Sequence, residues 1–431
     1  MTELLWATYL IMTLFSYIIF QKDIAAPPFI FCGLYFFSIT MALISKEEWQ
    51  VAISDDSFIV FLFGGLIFIV LGVFFRGQNS SGSVWKNTGS LDAIEIPKLI
   101  TVIIIIIAII TGYMQYQANM EIAAKIGASG SSALVLAAVR EATSYGTEIS
   151  IPSYIVQMNK VLSIFAYVWL FIYINNGVVC IHGWRRIEKL VPVCIYLVNN
   201  LLSGNRLLLL YISGAGFIYY YLMLTFCCGI KIDSGKILRR VLTLFILLMI
   251  GFYGVRLLAG RVGSEESALL QYISLYAGGP IKLFDMFLEA PVVSDLWGKE
   301  TFIAIHKNLQ ALGLENYPVY IAHKEFREVN GVGVGNVYTA YRAWFADFGF
   351  AGIVILGGAV ATFYNYFYYK LRFSNLNQHR FALLIYGYMS SGLFLHSIDD
   401  DFYPYFVSLG FISIFLIFYA VYYFTIKLRS K

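Results

Sequence analysis

The residues able to do chemistry are gathered into a few short stretches of an otherwise apolar chain. One stretch, Gly331–Gly352, holds glycines at 331, 333 and 335, then Asn336, Tyr338, Arg342, Trp344 and Asp347. Residues four apart share a helix face, so Tyr338 and Arg342 are expected to look in one direction. An apolar run follows, so that polar face would stand where a membrane helix begins. Asp347 reads first as a helix-start residue, because a carboxylate suits the positive end of a helix.

Arginines give a second signal. Arg206 lies in Ser203-Gly204-Asn205-Arg206, between two apolar runs, and Arg256 and Arg261 lie where another run ends. Arg140 lies earlier, and Arg327 and Arg342 lie late in the long polar segment, with His323 close by. A single arginine at a membrane edge is accounted for by snorkelling to headgroups. Several at one edge point instead to a phosphate, whose oxygens match the guanidinium fork. The third signal is Asp399-Asp400-Asp401, beside His396. It is either a solvated turn and helix cap or a source of a general base, with Asp399 and Asp401 as candidates. The rings of Trp344, Tyr338, Tyr317 and Tyr320 could stack on a sugar.

Other chemistries find no support. The Gly331–Gly335 alternation lacks the lysine of a phosphate loop and the strand-to-helix setting of a dinucleotide fingerprint. No His, Cys and Asp spacing forms a metal set, so no metal and no cofactor are expected. The five cysteines, Cys32, Cys180, Cys194, Cys227 and Cys228, fit neither a zinc pattern nor a disulfide framework and read as small apolar fillers. The net charge of +4 is spread along the chain, which disfavours nucleic acid as a partner.

The elements that must position these residues are membrane helices. The chain is 59% hydrophobic and only 13% charged, where soluble domains carry about a quarter. Runs of about 20 apolar residues predict eleven spans: Leu4–Phe20, Pro27–Ile44, Phe58–Phe75, Leu99–Met114, Ile155–Ile174, Leu190–Leu202, Leu207–Phe226, Leu238–Leu258, Phe348–Tyr369, Phe381–Leu395 and Tyr405–Thr425. The sixth is short and contains Asn199 and Asn200. Met1–Phe20 lacks a basic flank and a small-residue cleavage site, so it reads as a first span. Lys and Arg collect in alternate short loops, with Arg185, Arg186, Lys231, Lys236, Arg239, Arg240, Lys427 and Arg429 on one side. That side is expected to be cytoplasmic, with the N-terminus outside and the C-terminus inside. The expected organisation is a single all-α integral membrane domain, 1–431, with one large external loop, 259–347, between spans eight and nine. The loop's mixed stretches Ala268–Leu275, Ile281–Leu288 and Phe302–Leu312 predict short helices packed as a cap. A further external hairpin of short helices is expected over 115–154.

With these features in place, the chain resembles the Wzy-type O-antigen polymerases, which join oligosaccharide repeat units in bacterial envelopes. Four places carry the resemblance: Lys22-Asp23-Ile24-Ala25-Ala26-Pro27-Pro28-Phe29-Ile30; Ser203-Gly204-Asn205-Arg206; Tyr276-Ala277-Gly278-Gly279-Pro280-Ile281; and Asn336-Val337-Tyr338-Thr339-Ala340-Tyr341-Arg342 followed by Asp347-Phe348-Gly349-Phe350-Ala351-Gly352. The layout of many spans and one late external loop covers the whole chain. The resemblance implies a GT-C-like fold and an inverting, metal-independent glycosyltransferase in the bacterial inner membrane. Donor and acceptor would be oligosaccharides on undecaprenyl pyrophosphate, with a chain-length regulator and a flippase as candidate partners. Arg206, with Arg256 or Arg261, would meet the pyrophosphate, and Arg342 the transferred sugar. Asn336, Tyr338, Trp344, Arg327 and His323 would contact substrate. The alternatives are an O-antigen ligase and a lipid-linked oligosaccharide flippase. Ligases usually carry a His before the Asn of the closing motif, where this chain has Gly335. A transporter should show repeated halves or charges at mid-membrane.

Overall fold

The computed structural model describes residues 1–80, 89–145, 149–202, 204, 207–229, 233–258, 269–314 and 324–429. In chain order the helices are α1 (Thr2–Ile19), α2 (Pro27–Ile44), α3 (Asp55–Ser80), α4 (Lys98–Lys125), α5 (Ser132–Tyr145), α6 (Ser153–Val179), α7 (Val191–Leu202), α8 (Leu208–Cys228) and α9 (Ser234–Leu258). The segment between α9 and the next long helix holds α10 (Leu269–Ala277), α11 (Gly279–Glu289), α12 (Ile303–Ala311) and a hairpin of β1 (Arg327–Val329) and β2 (Val332–Gly335). Then come α13 (Tyr341–Arg372), α14 (Arg380–Tyr388), α15 (Ser391–Phe394), α16 (Tyr403–Phe406) and α17 (Leu409–Thr425).

The protein is an all-α, polytopic membrane-type fold. Eight described helices are long and apolar enough to cross a bilayer, and each falls on an expected span. Three expected spans are shorter than that. The sixth is α7, of 12 residues; the tenth is broken into α14 and α15, of 9 and 4 residues; the eleventh is α17, of 17 residues. Asn199 of α7 gives its amide to the Ala108 carbonyl of α4 at 2.9 Å, so this short helix is held by side-chain bonding to its neighbour. Helix starts follow local chemistry: Pro27 and Pro28 open α2, where a missing N–H costs nothing, and the Ser408 hydroxyl accepts from the Phe411 amide at the start of α17.

The Gly331–Gly352 stretch departs from expectation in two places. Gly333 and Gly335 lie in β2 of an antiparallel hairpin, inside a loop expected to hold short helices, with Val329 paired to Val332. Asn330 and Gly331, at φ 52° and 76°, make the two-residue turn, the geometry that Asn-Gly favours in hairpins. The second concerns the ninth span. Gly349 has φ 60° and ψ −150° and divides α13 in two. The Trp344 carbonyl comes within 2.2 Å of where a Cβ on Gly352 would sit, and the Trp344 ring lies against Gly357. In a straight helix residues eight apart are about 12 Å apart along the axis, so residues 341–348 form a short arm folded back on the long one. Asp347 therefore closes the short arm and does not open the span.

The long arm of α13 packs along α3, and α1 lies on α2, α4 on α7 and α6 on α8. The short arm enters this bundle. Tyr341 touches Gly64, where a Cβ would collide with its hydroxyl, and its ring meets Phe61, Phe284 and Trp344. α11 is seated on the start of α3, where the Asp285 carboxylate accepts from the Ser54 amide and hydroxyl and the Ser57 hydroxyl at 2.7–2.8 Å. Short helices stand over the three expected stretches, as α10, α11 and α12. The external hairpin differs: its first half continues α4 without a break to Lys125, and only α5 is separate.

Candidate functional site

The polar groups at the loop end converge on the short arm of α13. A strap, residues 290–301, crosses it first. Asp347 holds the strap: its carboxylate accepts from the Ser294 hydroxyl, from the Thr301 amide at 2.7 Å and from the Glu300 amide at 3.1 Å. The Ser294 amide in turn donates to the Ala346 carbonyl at 2.9 Å. This clamp fixes Glu300 over the arm.

Arg342 lies beneath the strap and is only 4% exposed. It pairs with Glu300 at 3.2 Å and Glu325 at 2.8 Å. Its guanidinium lies 4.4 Å from the Tyr338 ring centre and 4.9 Å from that of Phe287. Tyr338 and Arg342 do meet, although Tyr338 precedes the helix. Arg327 donates to the Met286 carbonyl at 2.6 Å and pairs with Glu325 at 3.0 Å. The structure thus gives the charges of Arg342 and Arg327 to protein carboxylates, where the sequence suggested a substrate. Burial opposes ionisation of Glu325, yet a backbone hydrogen bond, Arg342, Arg327 and Tyr338 together hold its carboxyl below the usual range. In Glu300 burial wins and raises the carboxyl despite Arg342 and Lys324.

The aspartate run divides into three roles. Asp399 pairs with Lys324 at 2.5 Å. Asp400 accepts from the Trp344 indole at 2.8 Å and from the Phe402 and Tyr403 amides at 2.9 and 3.2 Å. It holds the turn, and burial raises its carboxyl to about 6 against those three donors. Asp401 is 6% exposed, and its Oδ2 has no hydrogen-bond partner. Burial pushes its carboxyl up to about 7; the Tyr211 hydroxyl works against this, Asp399 and Asp400 add to it, and Lys324 opposes it. Asp401 opens on a cavity of about 180 Å³ lined with Glu300, Lys324, Asp399, Asp400 and Tyr405. Its position makes it a proton acceptor poised near neutrality, the condition general-base chemistry needs.

The remaining sequence candidates are dispersed. Trp344 and Tyr338 are fully buried: the Trp344 indole serves Asp400, and the Tyr338 hydroxyl donates to the Glu325 carbonyl at 3.1 Å. Neither offers a face for a sugar. Asn336 is half-buried just after β2. Arg206, Arg261 and His323 lie outside the described residues. Arg256 falls in the last turn of α9. α8 begins two residues after Arg206, and its Tyr211 reaches Asp401. Gly204, at φ +73°, lies against Arg140 of α5 so closely that a Cβ would meet its side chain at 2.4 Å. Among the described residues no group of three His, Cys, Asp or Glu is arranged to hold a metal ion. Glu300, Lys324, Glu325 and Tyr405 were not among the sequence candidates; Lys324 and Glu325, beside His323, and Tyr405, four residues after Asp401, had a signal nearby. The chain matches no protein-family model, no curated protein and no solved structure.

Proposed function

We propose that the protein is a membrane glycosyltransferase that polymerises oligosaccharide repeat units carried on undecaprenyl pyrophosphate. The observation that carries this reading is Asp401: a buried carboxylate with one oxygen uncommitted, on the lining of a cavity it shares with Glu300, Lys324 and Tyr405. Its uncommitted oxygen suits a base that accepts a hydroxyl proton. The resemblance in four motifs supplies the substrate, and the Lys and Arg asymmetry supports an outer-face site in a bacterial plasma membrane, with the N-terminus outside.

The chemistry is an inverting displacement. A hydroxyl oxygen of the acceptor sugar forms a bond to the anomeric carbon of the donor chain. The bond from that carbon to the pyrophosphate oxygen breaks, and the pyrophosphate leaves with the electron pair. Asp401 takes the hydroxyl proton. Arg206, with Arg256 or Arg261, stabilises the charge that grows on the leaving group, which lowers the barrier only so far as it binds the transition state better than the ground state. Arg342 works differently, by fixing Glu300 on the cavity wall. The test is the surface glycan of cells that lack the protein. Loss of long chains with single units retained is the polymerase result. Loss of every attached unit would assign the protein to ligation or flipping instead.

A further inference from the structure

The cavity's lining says which half of the reaction it serves. Glu300, Asp399, Asp400 and Asp401 face Lys324, the one cation among the described residues that line it, and Asp399 already holds that cation. Arg342, whose Nη2 pairs with Glu300 and Glu325 while its Nε and Nη1 have no partner, is not among the residues that line the cavity. A pyrophosphate would bring several negative charges into this lining, where the described residues offer no unpaired cation to meet them. Yet two of the carboxylates that line it have unmet hydrogen-bonding capacity. Asp401 Oδ2 and Glu300 Oε2 are buried acceptors without partners. Ionised carboxylates accept and do not donate, so the missing partners of the ionised form are hydroxyl or amino donors. The remaining wall is Ile303, Ala343, Pro404 and Tyr405, and Tyr405 is 59% exposed. Carboxylates beside an exposed aromatic ring suit a sugar, which presents hydroxyls at its edge and C–H bonds on its face.

We infer that this cavity is the acceptor subsite, which takes the terminal sugar of the incoming unit and excludes the lipid pyrophosphate. The inference rests on the polymerase reading for the word acceptor, but its sugar-binding content stands apart from turnover. The pyrophosphate then falls to the arginine segment that precedes α8. Tyr405 is the stacking face, and Asp401 receives the hydroxyl that attacks.

Binding to the full chain in lipid nanodiscs tests this, with two soluble probes measured by calorimetry. One is the repeat-unit oligosaccharide released from the host's own surface polysaccharide, and the other is inorganic pyrophosphate. Tyr405→Ala should weaken the oligosaccharide by about tenfold or more, the scale of a lost aromatic anchor, while Tyr405→Phe, which keeps the ring, retains it. Pyrophosphate affinity should be unchanged in Tyr405→Ala and in Lys324→Ala, and the two probes should bind together without displacing each other. Loss of pyrophosphate binding in Lys324→Ala, or mutual displacement of the probes, would place the phosphate in the cavity and overturn the inference. So would oligosaccharide binding that is absent or indifferent to Tyr405. A normal glycan ladder in cells lacking the protein would instead overturn the polymerase reading, and would leave a Tyr405-dependent sugar site standing.

Discussion

Removing the Asp347 carboxylate should release the strap without unfolding the bundle. In Asp347→Ala, the Thr301 amide, the Glu300 amide and the Ser294 hydroxyl all lose their acceptor. Thr301 is fully buried, so water cannot replace that partner in place. A hydrogen bond to a charged group contributes about 1.5–3 kcal/mol, and an unsatisfied buried donor costs about 1–3 kcal/mol. Glu300 is less completely buried, and the three bonds share one acceptor, so the losses do not add. A local cost of about 2–4 kcal/mol follows, which raises the population of the opened strap by about 30- to 1000-fold. Hydrogen exchange read by mass spectrometry measures this directly. Peptides covering 294–301 should exchange faster by that factor in Asp347→Ala, and by less in Asp347→Asn, which keeps one acceptor oxygen. Peptides from α3 and the long arm of α13 should not change. Exchange over 294–301 within threefold of wild type would refute the clamp, and with it the account of how Glu300 is placed.

Gly349→Ala forces a side chain into a backbone region essentially confined to glycine, at φ 60° and ψ −150°. It should cost about 1–3 kcal/mol and lower the thermal midpoint of the purified protein. Asp401→Asn should be more thermostable than wild type at pH 8 but not at pH 4. The folded carboxyl titrates near 7, above its unfolded value of about 3.9. Deprotonation between those two values therefore costs the folded state stability, and Asn removes that cost. Melting curves at the two pH values check the sign. Arg206→Ala should reach the membrane but lose about 10²–10³ in turnover, and Arg206→Lys should be badly impaired if the contact needs the planar fork; glycan ladder length at matched expression measures both.

How far the sequence was legible depended on the range of the interaction. Helix α2 runs from Pro27 to Ile44 as expected, because a proline pair and a single apolar run mark it locally. The hairpin had a local signal, Asn330-Gly331 between valines, but it lies in a loop whose other stretches carry helix patterns. The reversal at Gly349 was hidden, because apolar residues continue on both sides of it and the hydropathy pattern is that of one span. The fate of Arg342 was not readable at all. Its partners lie 42 and 17 residues away, at Glu300 and Glu325, and only the folded strap and hairpin bring them together. The aspartate run was visible as a candidate for a base. That Asp400 would serve Trp344 and the turn while Asp401 kept a free oxygen is set by packing against α8 and α13, to which spacing is blind.

The central claim is that Asp401 accepts the acceptor's proton, and the pH dependence of turnover by the purified protein on lipid-linked repeat units tests it most directly. A base must be ionised to act, and burial sets this carboxyl near 7. Wild-type kcat should therefore rise about tenfold per unit up to about pH 7 and then level off. Asp401→Asn should lose about 10²–10⁴ in kcat and the inflection with it. An Asp401→Asn protein that keeps the wild-type rate and the same inflection would contradict the account.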